Sequence, residues 1–157
     1  MQTGKITLSI DSRYENVQLV GCAVHKLSDM TPLNDNDAHQ VELCVSEAVV
    51  NSIKHGYHNQ AGHFVDVIVT LHKDKLVIEV VDSGDRMDPD VLKKYSSISI
   101  DFDPQDIDSI PCSGRGLAII QEFMDSVHYS EHGQRKYLTM TKRFQPRQEV
   151  SGNGNQH

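Results

Sequence analysis

Apolar and polar positions alternate from Ile6 to Ile10, the period-two pattern of a strand with one buried face. Asp11 and Ser12 then offer helix caps, and Val17, Val20, Val24 and Leu27 recur at helical spacing before Pro32 ends the run. The segment NDNDAHQVELCVSEAVVNSIKHGY predicts a long second helix, capped by Asn or Asp and stopped near Gly56. Val65, Val67, Val69 and Leu71 share one face of a strand over 63–72. A Lys73–Asp74 turn leads from it into another strand over 76–82, and the two make a hairpin signal. From Ser83 to Ser113 the chain is polar and aperiodic for about 30 residues. That length marks either a lid over a site or an ordinary flexible loop with a short helix near Val91 to Tyr95. Leu117, Ile120 and Met124 stripe a helix over 116–124, and strands over 126–130 and 135–144 pair around His132–Gly133–Gln134. Strands in pairs with helices between them predict an α/β (α+β) two-layer sandwich. Its sheet should be mixed but largely antiparallel, and covered on one face by helices. One domain is expected over 1–144, and the apolar-poor stretch 145–157 reads as a flexible tail.

Composition narrows the function classes. Acidic residues outnumber basic ones 22 to 15, for a net charge of −7, which argues against a broad basic face for DNA or RNA. No run approaches the roughly 18 apolar residues of a membrane span, and MQTGKITLSIDS lacks the pattern of a secretion signal. Cys22, Cys44 and Cys112 have no paired ligand spacing; Cys22 and Cys44 read as small core residues, in keeping with a reducing cytoplasm. His55, His58, His63 and His72 also lack a zinc-ligand pattern and read as surface or packing residues.

Candidate chemistry gathers in three places. On the second helix Glu47, Asn51 and Lys54 project within about 60° of one another, with His55 at the edge of the stripe. Apolar positions flank the stripe on both sides, so a carboxylate and an amide there need partners such as a cation and phosphate. A solvated helix edge with a Glu47–Asn51 contact is the alternative. Asp82 shares strand parity with Leu76, Ile78 and Val80, at the mouth of any pocket beyond the strand end, with Gly84 beside it. There it can accept a hydrogen bond from an exocyclic amine, or simply form an Asp–Ser–Gly turn. Finally, SGRGLAII places Gly114 and Gly116 before an apolar helix, a geometry suited to phosphate but lacking the Lys–Ser/Thr of a P-loop.

Taken in order, E-x-x-x-N-x-x-x-H on a helix, D-x-G after a strand and G-x-G-L before a helix resemble the GHKL (Bergerat-fold) ATPase superfamily. SEAVVNSIKHGY, VVDSGDRMDP and SGRGLAIIQEFMD are most similar to the anti-sigma factor serine/threonine-protein kinases of that superfamily. A short chain with an immediate strand–helix start favours this type over the histidine kinases.

The resemblance implies ATP or ADP with Mg2+, the metal held by Asn51. Glu47 would be general base on a partner serine, and Asp82 would read adenine, with Gly84 and Met87 as neighbours. It places Lys54, His55, Arg115 and the amides around Gly114 and Gly116 near the phosphates, and counts Leu117 among the nucleotide-binding residues. As an anti-sigma factor the protein would sequester a sigma factor and phosphorylate an anti-anti-sigma (STAS-type) partner, and it would be a homodimer. The alternative is a nucleotide-loaded binding module without kinase activity, which would need Asn51 and Asp82 but no base. The pattern departs from the superfamily where Arg86 replaces the second glycine of the first glycine box.

Overall fold

The computed structural model describes residues 3–91 and 115–146. Cys112, Gly114, most of the polar segment expected as a lid, and the tail from 147 lie outside the described residues. The elements run β1 (Gly4–Asp11), α1 (Glu15–Ser28), α2 (Asp35–Asn51), a π-helical turn (Ser52–Gly56), β2 (Phe64–Leu71), β3 (Lys75–Asp82), α3 (Arg115–Phe123), β4 (Ser126–His132) and β5 (Arg135–Arg143). The strands form one sheet in the order β1–β2–β3–β5–β4, and among the described residues all four pairings are antiparallel, where a mixed but largely antiparallel sheet was expected.

Both expected hairpins form. Leu71 pairs with Leu76 across the Lys73–Asp74 turn, closed by the His72 amide on the Lys75 carbonyl at 2.9 Å. His132 pairs with Arg135 around Gly133, whose φ of +63° suits a residue without a side chain.

One sheet face is covered by helices. Val65, Val67, Val69, Leu76, Ile78 and Met140 are fully buried against Val41, Val45 and Val49 of α2 and Ile119 and Ile120 of α3. Burial of each such side chain contributes about 1.5–3 kcal/mol, which is the main reason helix and sheet stay together. Cys44 lies in this core, and burial pushes its thiol up to about 12, so it is inert at neutral pH.

The start of α2 is set locally. Asn34 is extended (φ −72°, ψ 168°) and accepts the Asp37 amide at 2.8 Å, with Asp35 and Asp37 placed against the positive helix end. The start of α1 differs from expectation: Tyr14 is the cap residue and provides no side-chain bond. Ser12 instead donates to the Gln60 carbonyl at 2.6 Å and accepts the His63 amide at 3.2 Å, tying the end of β1 to the start of β2.

Cys22 is likewise not a core residue but exposed on α1. The buried stripe of that helix is Val20, Gly21, Val24 and Ser28. Gly21 brings α1 close to α2: a β-carbon there would lie 2.9 Å from Ser46 Oγ and 3.5 Å from Glu42 Cγ. No helix among the described residues is long and apolar enough to cross a membrane.

Candidate functional site

Regular α2 ends at Asn51, where the backbone widens into the π turn. The Tyr57 amide donates to the Ser52 carbonyl at 3.0 Å, five residues back, instead of the four of an α-helix. His58 and Asn59 follow in the left-handed region (φ 53° and 62°) and turn the chain toward β2. Tyr57 anchors the turn: its hydroxyl donates to the Phe64 carbonyl at 2.7 Å and accepts the Ser83 amide at 2.8 Å.

The π turn brings Gly56 against the segment after β3. A β-carbon on Gly84 would lie 2.3 Å from the Gly56 carbonyl oxygen and 2.7 Å from its Cα, so the two backbones meet where only glycine fits. The Asp85 amide donates to that same carbonyl at 2.8 Å. Asp82 is oriented from both sides: Ser52 Oγ donates to Oδ2 at 2.8 Å and the Gly84 amide donates to Oδ1 at 2.9 Å. A carboxylate has about four acceptor positions, so capacity remains for a further donor.

Beside this crossing is a cavity of about 290 Å³. Ala48, Val80, Met87, Val91, Leu117 and Leu138 form its apolar walls, and Asn51, Ser52, Asp82, Tyr129 and Lys136 bring polar groups to it. An apolar slot with few convergent polar groups is the usual form of a small-molecule site.

Of the residues singled out in the sequence, Asn51, His55, Asp82, Met87, Gly116 and Leu117 line this space. Gly84 sits behind Asp82 at the backbone crossing. Lys54 is exposed and does not line the cavity. It lies within the π turn, where uniform α-helical spacing no longer holds. His55 is exposed at the rim, and partial burial followed by the charges of Lys54 and His58 lowers its pKa, so the ring is neutral near pH 7.

Glu47 approaches the start of α3. A β-carbon on Gly116 would lie 3.0 Å from Glu47 Oε2 and 3.2 Å from Asn51 Nδ2, so the absent side chain leaves room for both polar groups. Glu47 is half-buried, and this burial raises its carboxyl above the ordinary value, opposed in part by the nearby Arg115 guanidinium. Such a carboxylate is a stronger proton acceptor than an exposed one.

Sequence reasoning missed Ser52, Gly56, Tyr129 and Lys136. Gly56 had registered only as a helix stop. The others carry no local signal, because strand pairing and the π turn bring them to the cavity. Lys136 Nζ donates to the Gly84 carbonyl, and Tyr129 accepts the Met87 amide at 3.3 Å, so β4 and β5 hold the segment after β3 in place. Arg86, the departure in the first glycine box, donates to Glu131 at 2.8 Å. That bond holds the Glu131 carboxyl below its usual range.

A family profile described as histidine kinase-like ATPase domain matches residues 10–142. The chain belongs to this family of ATPase domains. Among characterised relatives, the serine-protein kinase RsbW of Bacillus cereus (strain AH187) is 26% identical over 155 residues, covering 96% of this chain and 91% of the relative. The RsbW of Bacillus thuringiensis subsp. konkukian (strain 97-27) is 27% identical over the same length, with the same coverage.

Solved structures agree on the fold. The RsbU and RsbW domains of a Mycobacterium tuberculosis protein superpose with a TM-score of 0.61 at 15% identity, over 89% of this chain and 32% of that one. The present chain therefore spans about a third of that two-domain chain's length. The SiaB–SiaC complex from Pseudomonas aeruginosa superposes with a TM-score of 0.55 at 13% identity, over 87% of this chain and 89% of that one.

Proposed function

We propose that the protein is an anti-sigma factor and ATP-dependent protein-serine kinase that works by partner switching. The observation that carries this reading is the convergence of Glu47 and Asn51 on Gly116, which together with Asn51 lines the same cavity as the oriented carboxylate of Asp82. The naming of full-length relatives as serine-protein kinases supports it.

The residues fit a magnesium nucleotide. Asn51 offers an amide oxygen beside the space left by Gly116, a hard donor suited to Mg2+. Magnesium, when bound, supplies neutralisation of phosphate charge, and Asn51 is the residue that would hold it. Asp82 accepts the exocyclic amine of adenine while Ser52 and the Gly84 amide fix its plane. Met87 and Leu117 offer apolar contact to the base. The amides at the start of α3 around Gly116, with Arg115, face the phosphates in this reading.

Glu47 takes the proton of the attacking serine hydroxyl as its oxygen bonds to the terminal phosphorus, the bond to the bridging oxygen breaks and ADP leaves. The substrate is a serine on a STAS-type anti-anti-sigma partner. With that partner phosphorylated, the protein, acting as a cytoplasmic homodimer, sequesters a sigma factor. Retention of Glu47 in a half-buried position favours a kinase over a pure binding module, which has no use for a proton acceptor.

Transfer of labelled phosphate from ATP to a purified STAS-type partner, with magnesium present, tests the reading. The expected result is incorporation on serine. Nucleotide binding with no transfer to any candidate partner would leave the binding module as the better account.

A further inference from the structure

On α1 and the first half of α2, two imidazoles and three carboxylates gather among residues that do not line the cavity. We propose that His25, His39 and Glu42 form a divalent transition-metal site of zinc type that fastens α1 to α2. It is independent of the kinase reading.

The geometry starts from Glu42, whose oxygen Oε2 lies 2.7 Å from His25 Nδ1 and 3.9 Å from His39 Nδ1. One ligand atom from each of the three residues lies within 4.8 Å of the others. Zinc ligands at about 2.0–2.1 Å in a tetrahedron place donor atoms roughly 3.3 Å apart, and the observed separations bracket that value. Small side-chain rotations close the set, leaving a fourth position for water.

Two further observations give the cluster direction. The opposite ring nitrogens face a second layer of carboxylate: His39 Nε2 is 3.5 Å from Asp35, and His25 Nε2 is 3.8 Å from both Asp35 and Asp29. A carboxylate on the far nitrogen holds the proton there and frees the near nitrogen's lone pair for a metal, the arrangement that tunes metal-bound histidines. Glu42 is also placed by packing, because its side chain lies over Gly21, where a β-carbon would come 3.5 Å from Glu42 Cγ. His25 is the least exposed member, at 19%, while His39 is 63% exposed and keeps the site open to solvent. On α2 the residues Asp35, His39 and Glu42 follow at i, i+4 and i+7, one helix face, and the other histidine comes from α1. A metal held here joins the two helices.

The test is a zinc titration of the purified, tag-free chain after chelator treatment and without nucleotide, read by calorimetry and by thermal melt. The expected result is one saturable zinc site and a rise in melting temperature that EDTA reverses. Asp35→Asn should weaken zinc by roughly 10- to 100-fold, the scale for losing an outer carboxylate, and His39→Gln by more. His39→Gln is an exposed change that leaves the core intact, and His128→Gln should bind zinc like the parent. Absence of saturable binding would overturn the proposal. So would undiminished affinity in His39→Gln, which would assign the metal to other histidines. Neither failure bears on nucleotide binding or phosphate transfer.

Discussion

Replacing Gly84 with alanine tests the backbone crossing on which the cavity depends. The added carbon would sit 2.3 Å from the Gly56 carbonyl oxygen, 2.4 Å from its carbon and 2.7 Å from its Cα. All three are backbone atoms of the π turn, so no rotamer change relieves the contact. Restoring ordinary separation needs a displacement of about 1 Å, which strains packing by about 1–3 kcal/mol. The same displacement weakens the Asp85 amide bond to the Gly56 carbonyl, at 2.8 Å, for a further loss of about 0.5–1.5 kcal/mol. The sum is roughly 2–4 kcal/mol, or about 5–15 °C in Tm for a domain of this size.

Gly4→Ala is the control, because its β-carbon would meet Leu71 at an ordinary 3.7 Å, and it should leave Tm nearly unchanged. Urea unfolding and thermal melts measure both variants, and nucleotide titration should show Gly84→Ala weakened as Asp82 is displaced with it. Alanine lowers the entropy of the unfolded chain and on that ground alone would stabilise by about 0.4–1 kcal/mol. A Gly84→Ala protein as stable as its parent would therefore refute the crossing.

Glu47→Gln should retain magnesium nucleotide while phosphate transfer falls on the order of 100-fold, the scale for losing a positioned proton acceptor; loss of nucleotide binding as well would assign Glu47 to the metal instead. Because burial raises the Glu47 carboxyl in the folded state, the native protein binds a proton there that the unfolded chain has already lost. Its contribution to stability therefore falls as pH rises from the ordinary carboxylate value through the raised one, and pH-dependent denaturation should show that slope removed in Glu47→Gln. Asp82→Asn should weaken ATP and ADP in calorimetric titration, since an amide must turn its oxygen toward both Ser52 and the ligand; equal affinity would remove Asp82 as the base reader. Asn34→Ala should lower stability by about 1 kcal/mol in urea unfolding through loss of the cap on Asp37, with no change in nucleotide affinity.

Periodicity alone made the layer architecture legible. Val65, Val67 and Val69 alternate onto the covered face, and α2 buries Val41, Val45 and Val49, because side-chain direction follows residue count in regular elements. The parity that put Asp82 with Leu76, Ile78 and Val80 holds for the same reason, and Asp82 meets Ser52 of the turn above the sheet. Errors arise where regularity stops. Uniform α-helical spacing carried Lys54 onto the Glu47–Asn51 stripe, but the π turn begins at Ser52, and its anchor, Tyr57, finds partners only after β2 and β3 are in place. Cys22 read as buried since a hydrophobic pattern counts side chains. On α1 the buried position is Gly21, which has none and allows the helices to approach.

The glycines carry a similar lesson about the site itself. In the sequence, Gly84 suggests close approach of a ligand beside Asp82, and Gly114 and Gly116 a helix start suited to phosphate. In three dimensions Gly84 is where the chain after β3 passes over Gly56, and Gly116 is where α3 passes Glu47 and Asn51. Neither contact leaves space for a methyl group without displacement, and Gly56 and Gly116 both line the same cavity. Asp82 is set by the first contact, and the Glu47–Asn51 pair by the second. Gly84 thus lets two backbones cross beside Asp82, and Gly116 leaves room for the Glu47 and Asn51 side chains. Just after Gly84, Arg86 turns to the sheet and donates to Glu131. The chemistry of the site follows from helix and strand termini meeting where side chains are missing.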